Sequence, residues 1–88
     1  MKDIELTFYV HAMDRQTNRV LARLIKFCDG HFQKNYKLNL IDLSKNPEIQ
    51  PPLVLPALVR ETPLPRRMAV GDFTNIAKTM LTLNLLTN

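Results

Sequence analysis

Only two glycines, Gly30 and Gly71, and a single cysteine, Cys28, occur in these 88 residues. So little glycine argues against long flexible linkers. Neither glycine has a partner at the spacing of a Gly-rich phosphate loop, so nucleotide hydrolysis has no support. One thiol excludes an internal disulfide, and His11 and His31 lie far from any cysteine partner, so no structural zinc set is expected. No apolar run approaches membrane-spanning length, and the charged opening Met1-Lys2-Asp3-Ile4-Glu5 is unlike a secretory leader. A cytoplasmic protein in a reducing compartment, with no membrane partner, is the expectation. Acidic residues are also fewer than basic ones, eight against twelve, for a formal charge of +4. The positive charges form no dense run and no stacking aromatics are interleaved with them. They read as a solvated surface, and nucleic acid is not an expected partner.

What is present is a composition typical of a globular domain, 45% hydrophobic and 23% charged, and a length that allows one core, so residues 1–88 read as a single domain. Ile4 to Val10 alternates, with Ile4, Leu6, Phe8 and Val10 on one face and Glu5, Thr7 and Tyr9 on the other, which predicts a strand. From Asp14 the apolar positions Val20, Leu24 and Cys28, and Leu21 and Ile25, recur four apart. This spacing predicts an amphipathic helix ending near Asp29-Gly30, where glycine would suit a left-handed cap. Tyr36 to Leu43 is dense enough for a strand covered on both faces. Asn46-Pro47 and then Pro51-Pro52 leave room for a second helix of one or two turns at most.

Val54 to Arg60 predicts a third strand with Pro56 inside it. A proline cannot donate to a sheet ladder, so Pro56 should mark a strand's first residue, an edge or a cis bond. Arg67 to Val70 predicts a fourth strand, antiparallel to the third. A final helix, capped by Asp72 or Thr74, carries Ile76, Met80 and Leu83, with Ala77 and Leu81, at helical spacing. The order β-α-β-(short α)-β-β-α makes the first strand-helix-strand unit a parallel crossover and the last hairpin an antiparallel edge. The expected fold is therefore α/β and thioredoxin-like: a four-stranded mixed sheet with helices packed on both faces.

A redox domain of that architecture keeps a Cys-x-x-Cys between the first strand and the first helix, where the helix N-terminus lowers the thiol pKa. Here the loop reads His11-Ala12-Met13-Asp14-Arg15-Gln16, without a thiol. Cys28 falls on the apolar stripe of the helix, as a small core residue does. His11 ends the first strand, where ligands of open α/β sheets gather, but has no paired nucleophile. Asp42 ends the second strand and reads as the cap of the turn at Ser44 to Asn46. No catalytic residue, metal site or cofactor is expected. Recognition of another protein is.

The run Phe8-Tyr9-Val10, then Leu21, Leu24, Phe32, Tyr36 and Leu38, Ile41-Asp42, Lys45-Asn46-Pro47, Pro56, Leu58, Pro63-Leu64-Pro65-Arg66-Arg67, Gly71-Asp72, Leu83 and Leu85-Leu86 resembles the KaiB family of circadian clock proteins. The resemblance covers nearly the whole chain. It implies a non-enzymatic regulator that binds the ring-shaped ATPase KaiC, competes there with the sensor domain of the kinase SasA and helps to sequester KaiA. It also implies a choice of folds, because family members occur as a tetramer of different α/β topology and as a thioredoxin-like monomer that binds the ATPase. Pro56 matches the cis-proline of the monomer, Gly71 and Asp72 match a structural pair, and Arg66, Arg67 and Lys45 are the expected partner-binding residues. A homo-oligomer, dimer or tetramer, is the alternative assembly. A thioredoxin-like redox protein and a kinase sensor domain are the alternative functions.

Three departures from the family accompany these matches. The segment from Asn46 to Pro56 is shorter by a few residues, Ala12-Met13-Asp14-Arg15 replaces a Gly-Asn-Thr-Pro loop, and Thr82 and Asn84 stand where a glycine and an aspartate are common. Glycine opposes helix by about 1 kcal/mol relative to alanine, so Thr82 is expected to shift the balance towards the thioredoxin-like state.

Overall fold

In the computed structural model, residues 3–52, 54–71 and 73–86 are described. The elements are β1 (Ile4–Val10), α1 (Arg15–Phe32), β2 (Tyr36–Asp42), β3 (Ala57–Thr62), β4 (Arg67–Val70) and α2 (Ile76–Thr82). The sheet order is β2-β1-β3-β4. β2 runs parallel to β1, with α1 as their connection, whereas β3 is antiparallel to β1 and β4 antiparallel to β3. This is the mixed four-stranded, thioredoxin-like sheet that the periodicities predict.

The register explains the core. Leu6 lies opposite Leu38 and Arg60, Phe8 opposite Leu40 and Leu58, and Leu58 opposite Ala69, so these side chains share one face. Val20, Leu24 and Cys28 of α1 and Ile76 and Met80 of α2 join that face in one cluster with Val10, Phe73 and Leu83. Phe73 meets Phe8 edge-to-face at 5.5 Å between ring centroids. Removing a side chain such as Leu24, which is completely buried, would cost about 2–5 kcal/mol.

Both helices thus pack on the same face, where helices on both faces were expected. The reason is the short segment after β2. Its described residues hold no helix, and residues 43–49 fold into turns closed by Lys45 N–H to Asp42 O (3.1 Å), Asn46 N–H to Leu43 O (3.3 Å) and Ile49 N–H to Asn46 O (3.1 Å). Prolines at 47, 51 and 52 remove the donors a helix would need. β2 is an edge strand, half-buried with Leu40 39% exposed, so its apolar density does not reflect cover on both sides.

Other boundaries shift for local reasons. β3 begins at Ala57, just after Pro56, which has no N–H to give the ladder. α1 continues through Gly30 to Phe32, with Gln33 rather than glycine taking the positive φ of 56° at its end. The packing of Phe27 and Phe32 against the core outweighs the cost of one glycine of about 1 kcal/mol. Asn75 caps α2 in place of Thr74, its side chain accepting from Lys78 N–H at 3.1 Å. Asp72, the other expected cap, lies outside the described residues. α2 ends with Asn84 at φ 57° and two bonds, Asn84 N–H to Leu81 O and Leu85 N–H to Met80 O, that satisfy its last carbonyls.

Candidate functional site

At the place where a thiol pair would sit, a cleft of about 220 Å³ is lined by Val10, His11, Asp14, Thr17, Leu55 and Pro56. The Leu55–Pro56 bond is cis, and the Pro56 carbonyl accepts from Gly71 N–H at 3.2 Å. Gly71 has φ 93°, a conformation that favours glycine. Asp14 is committed to α1: its carboxylate accepts from Thr17 N–H at 2.7 Å, and that bond holds its pKa below the ordinary value. Cys28 is fully buried three turns further along α1, and burial pushes its thiol up to about 11. A thiol so shielded is a poor nucleophile. Among the described residues no group of three histidine, cysteine or acidic side chains could hold a metal ion. The cleft has the shape of the redox site but not its chemistry.

The face of the sheet away from the helices carries a different pattern. Glu5, Thr7 and Tyr9 of β1 point there with Lys37, Asn39 and Ile41 of β2 and with Met68 and Val70 of β4, the last two about half exposed. Asn39 donates to Glu5 at 2.9 Å, Thr7 donates to Glu61 at 2.8 Å, and Arg66 Nε donates to the other Glu61 oxygen at 2.8 Å. The Glu61 carboxylate, as acceptor and opposite charge, raises Arg66 above its usual pKa, and the Tyr9 hydroxyl lies beside the same guanidinium. Arg66 is therefore held in one orientation although its side chain is 58% exposed. Such an exposed pair adds about 1 kcal/mol at most. Its consequence is position rather than stability.

Arg67 opens β4 opposite Arg60, level with Leu6. Lys45 lies beyond the other end of the sheet, in the turn after Asp42, which is level with Val10. Four strand residues, about 13 Å, separate these levels, so Lys45 does not join the arginine pair. Its turn is well built. Asp42 accepts from Ser44 N–H (3.0 Å) and Ser44 Oγ (2.5 Å), which lowers its pKa, and Asn46 donates to the Asp42 carbonyl at 2.8 Å. Asp42 is the turn cap expected.

One residue escaped the reading of the sequence. Arg60 is 3% exposed on the helix-covered face, and its guanidinium donates to the carbonyls of Leu83 (2.9 Å) and Pro65 (2.6 Å), with a longer contact to Asn84 (3.4 Å). It ties the end of α2 to the β3–β4 connection. Its signal was an arginine at an inward position of an apolar strand. Glu61 was legible only as a loop residue, because β3 extends two residues further than the apolar run suggests.

Comparison with known proteins agrees with this geometry. A profile of the family described as the KaiB domain matches residues 7–85. The circadian clock oscillator protein KaiB of Synechococcus elongatus is 33% identical over 84 residues, covering 92% of this chain and 82% of that protein. KaiB of Thermosynechococcus vestitus is 32% identical over 88 residues, covering 97% and 82%. The circadian clock protein KaiB3 of a Synechocystis is 25% identical over 88 residues, covering 97% and 86%.

Proposed function

Since the chain belongs to the KaiB family, we propose that it is a non-enzymatic regulatory protein of the cytoplasm that binds a KaiC-like ATPase or a signalling kinase. The observation that carries this reading is the family match over residues 7–85, together with the exposed Arg66 that Glu61 holds in one orientation on the open face of the sheet. Arg66 and Arg67 at one end of the sheet and Lys45 at the other would both touch the partner. A standard interface takes roughly 800 Å² from each side, broad enough to reach both ends of so small a sheet. A KaiA-like protein and a SasA-like kinase are further partners of the same kind. No helix of the described residues is long and apolar enough to cross a membrane.

Binding of the purified chain to a KaiC-like ATPase, measured by calorimetry, tests the reading. The Arg66→Ala, Arg67→Ala double variant should weaken binding by about tenfold or more, equivalent to about 1.4 kcal/mol, and Lys45→Ala by less. Unchanged affinity in the double variant would take the arginine pair out of the interface. No binding of any such ATPase or kinase by the unaltered chain would remove the proposal itself.

A further inference from the structure

Helix α1 carries its positive charge in a way that the fold does not require. Arg15, Arg19 and Arg23 are four residues apart and Lys26 falls between them, so at 100° per residue the four occupy one sector about 80° wide. All four are exposed, and none makes an ion pair with a carboxylate among the described residues. The one acid further along the helix, Asp29, accepts instead from the Tyr36 hydroxyl at 2.6 Å. Like charges at this spacing oppose the helix, and Arg15 adds a cation at the end where the macrodipole favours an anion.

A second cost falls in the same place. Gly30 lies inside α1 next to the basic sector, and a Cβ built on it would meet nothing within 4 Å. Neither its backbone conformation nor any neighbour in the chain calls for glycine. Between this sector and α2 runs a groove of about 380 Å³ lined by Arg23, Lys26, Phe27, Gly30, His31 and Ile76. Its floor is apolar. His31 stacks on Phe27 at 3.9 Å between ring centroids, and its Nδ1 is 3.1 Å from the Phe27 carbonyl, so the wall is ordered.

We infer that this groove of α1 receives an acidic amphipathic helix of a partner protein. The basic rim selects carboxylates, and Glu or Asp side chains four apart on such a helix would match the repeat of Arg19 and Arg23. The missing side chain at Gly30 lets the partner's backbone approach closely, with one large apolar side chain seated against Phe27 and Ile76. A helix fits better than an extended segment because the groove lies between two helices and offers no strand edge to satisfy an extended backbone. Local rules broken together, without compensation among the described residues, mark a site of function.

The test uses the whole chain and a synthetic helical peptide of about 18 residues, the length of α1. The peptide carries glutamates four apart and one leucine stripe. A scrambled peptide of the same composition, a short DNA duplex and vesicles of phosphatidylserine with phosphatidylcholine serve as comparisons. In an NMR titration the Gly30 amide is the reporter and Gly71, the other glycine, is the reference. The ordered peptide should shift Gly30 and the Phe27 and Ile76 signals and leave Gly71 in place. Arg19→Glu with Arg23→Glu should raise Kd at least about tenfold. Gly30→Leu should abolish binding while the melting temperature stays equal or rises, so that loss of fold is not the cause.

No shift at Gly30, equal binding of the scrambled peptide, or equal binding of the duplex or vesicles would each overturn the inference. Arg66, Arg67 and Lys45 do not line the groove, so their variants should bind the peptide normally. This inference and the proposed ATPase binding can therefore fail separately.

Discussion

Arg60 is the residue whose removal should be felt furthest from its own strand. Arg60→Ala would leave the buried Leu83 carbonyl and the part-buried Pro65 carbonyl without their donor, at a cost of about 1–3 kcal/mol in urea denaturation. Amide exchange should show protection lost first near Leu83 to Leu85, because that is where the guanidinium holds the chain. The two carboxylates with lowered pKa set the acid limit. Asp14 and Asp42 are both held below their ordinary value of 3.8, Asp14 by the Thr17 amide and Asp42 by Ser44. A depressed folded pKa means stability present above about pH 4 and lost as the pH falls through the lower folded values. Denaturation midpoints measured from pH 7 to pH 2 should follow that course, with Asp14→Ala less stable at pH 7 and less sensitive to acid.

Among the elements, the two glycines make opposite predictions. Gly71→Ala places a Cβ at φ 93° and should cost about 1–2 kcal/mol although the space around it is open. Gly30→Ala sits in a helix and should stabilise the protein by up to about 1 kcal/mol. Thermal melts of the two variants moving in the same direction would contradict this account. The pair also shows what a sequence discloses. β1 falls where alternation places it because the pattern is local and uninterrupted, and β4 where a hairpin-length connection from β3 puts it. The end of α1 was hidden because glycine signals a cap only when no packing lies beyond it, and Phe32 supplies that packing. The missing short helix was hidden for a related reason: Asn46-Pro47 begins a turn as readily as a helix, and only the span from β2 to β3 decides. Of the surface, Arg66 and Arg67 were readable as a basic pair, but Glu61 as the carboxylate that fixes Arg66 depended on a strand boundary. The charges of α1 were visible as a list, and became a sector once wound on a helix.

For the whole molecule, the radius of gyration of 12.4 Å is close to the ~12 Å expected of a compact chain of this length. If Thr82 favours this fold as expected, X-ray scattering and size exclusion should report a species near 10.2 kDa. A stable tetramer with another strand order by NMR would refute it. The lone cysteine gives such measurements a further use. Cys28 has no exposed surface, so a thiol reagent can reach it only when α1 lifts from the sheet. The rate of alkylation is then a stopwatch for that opening event, read without any introduced probe. Compared between the unaltered chain and each variant, it would separate a partner that clamps the domain shut from one that waits for it to breathe.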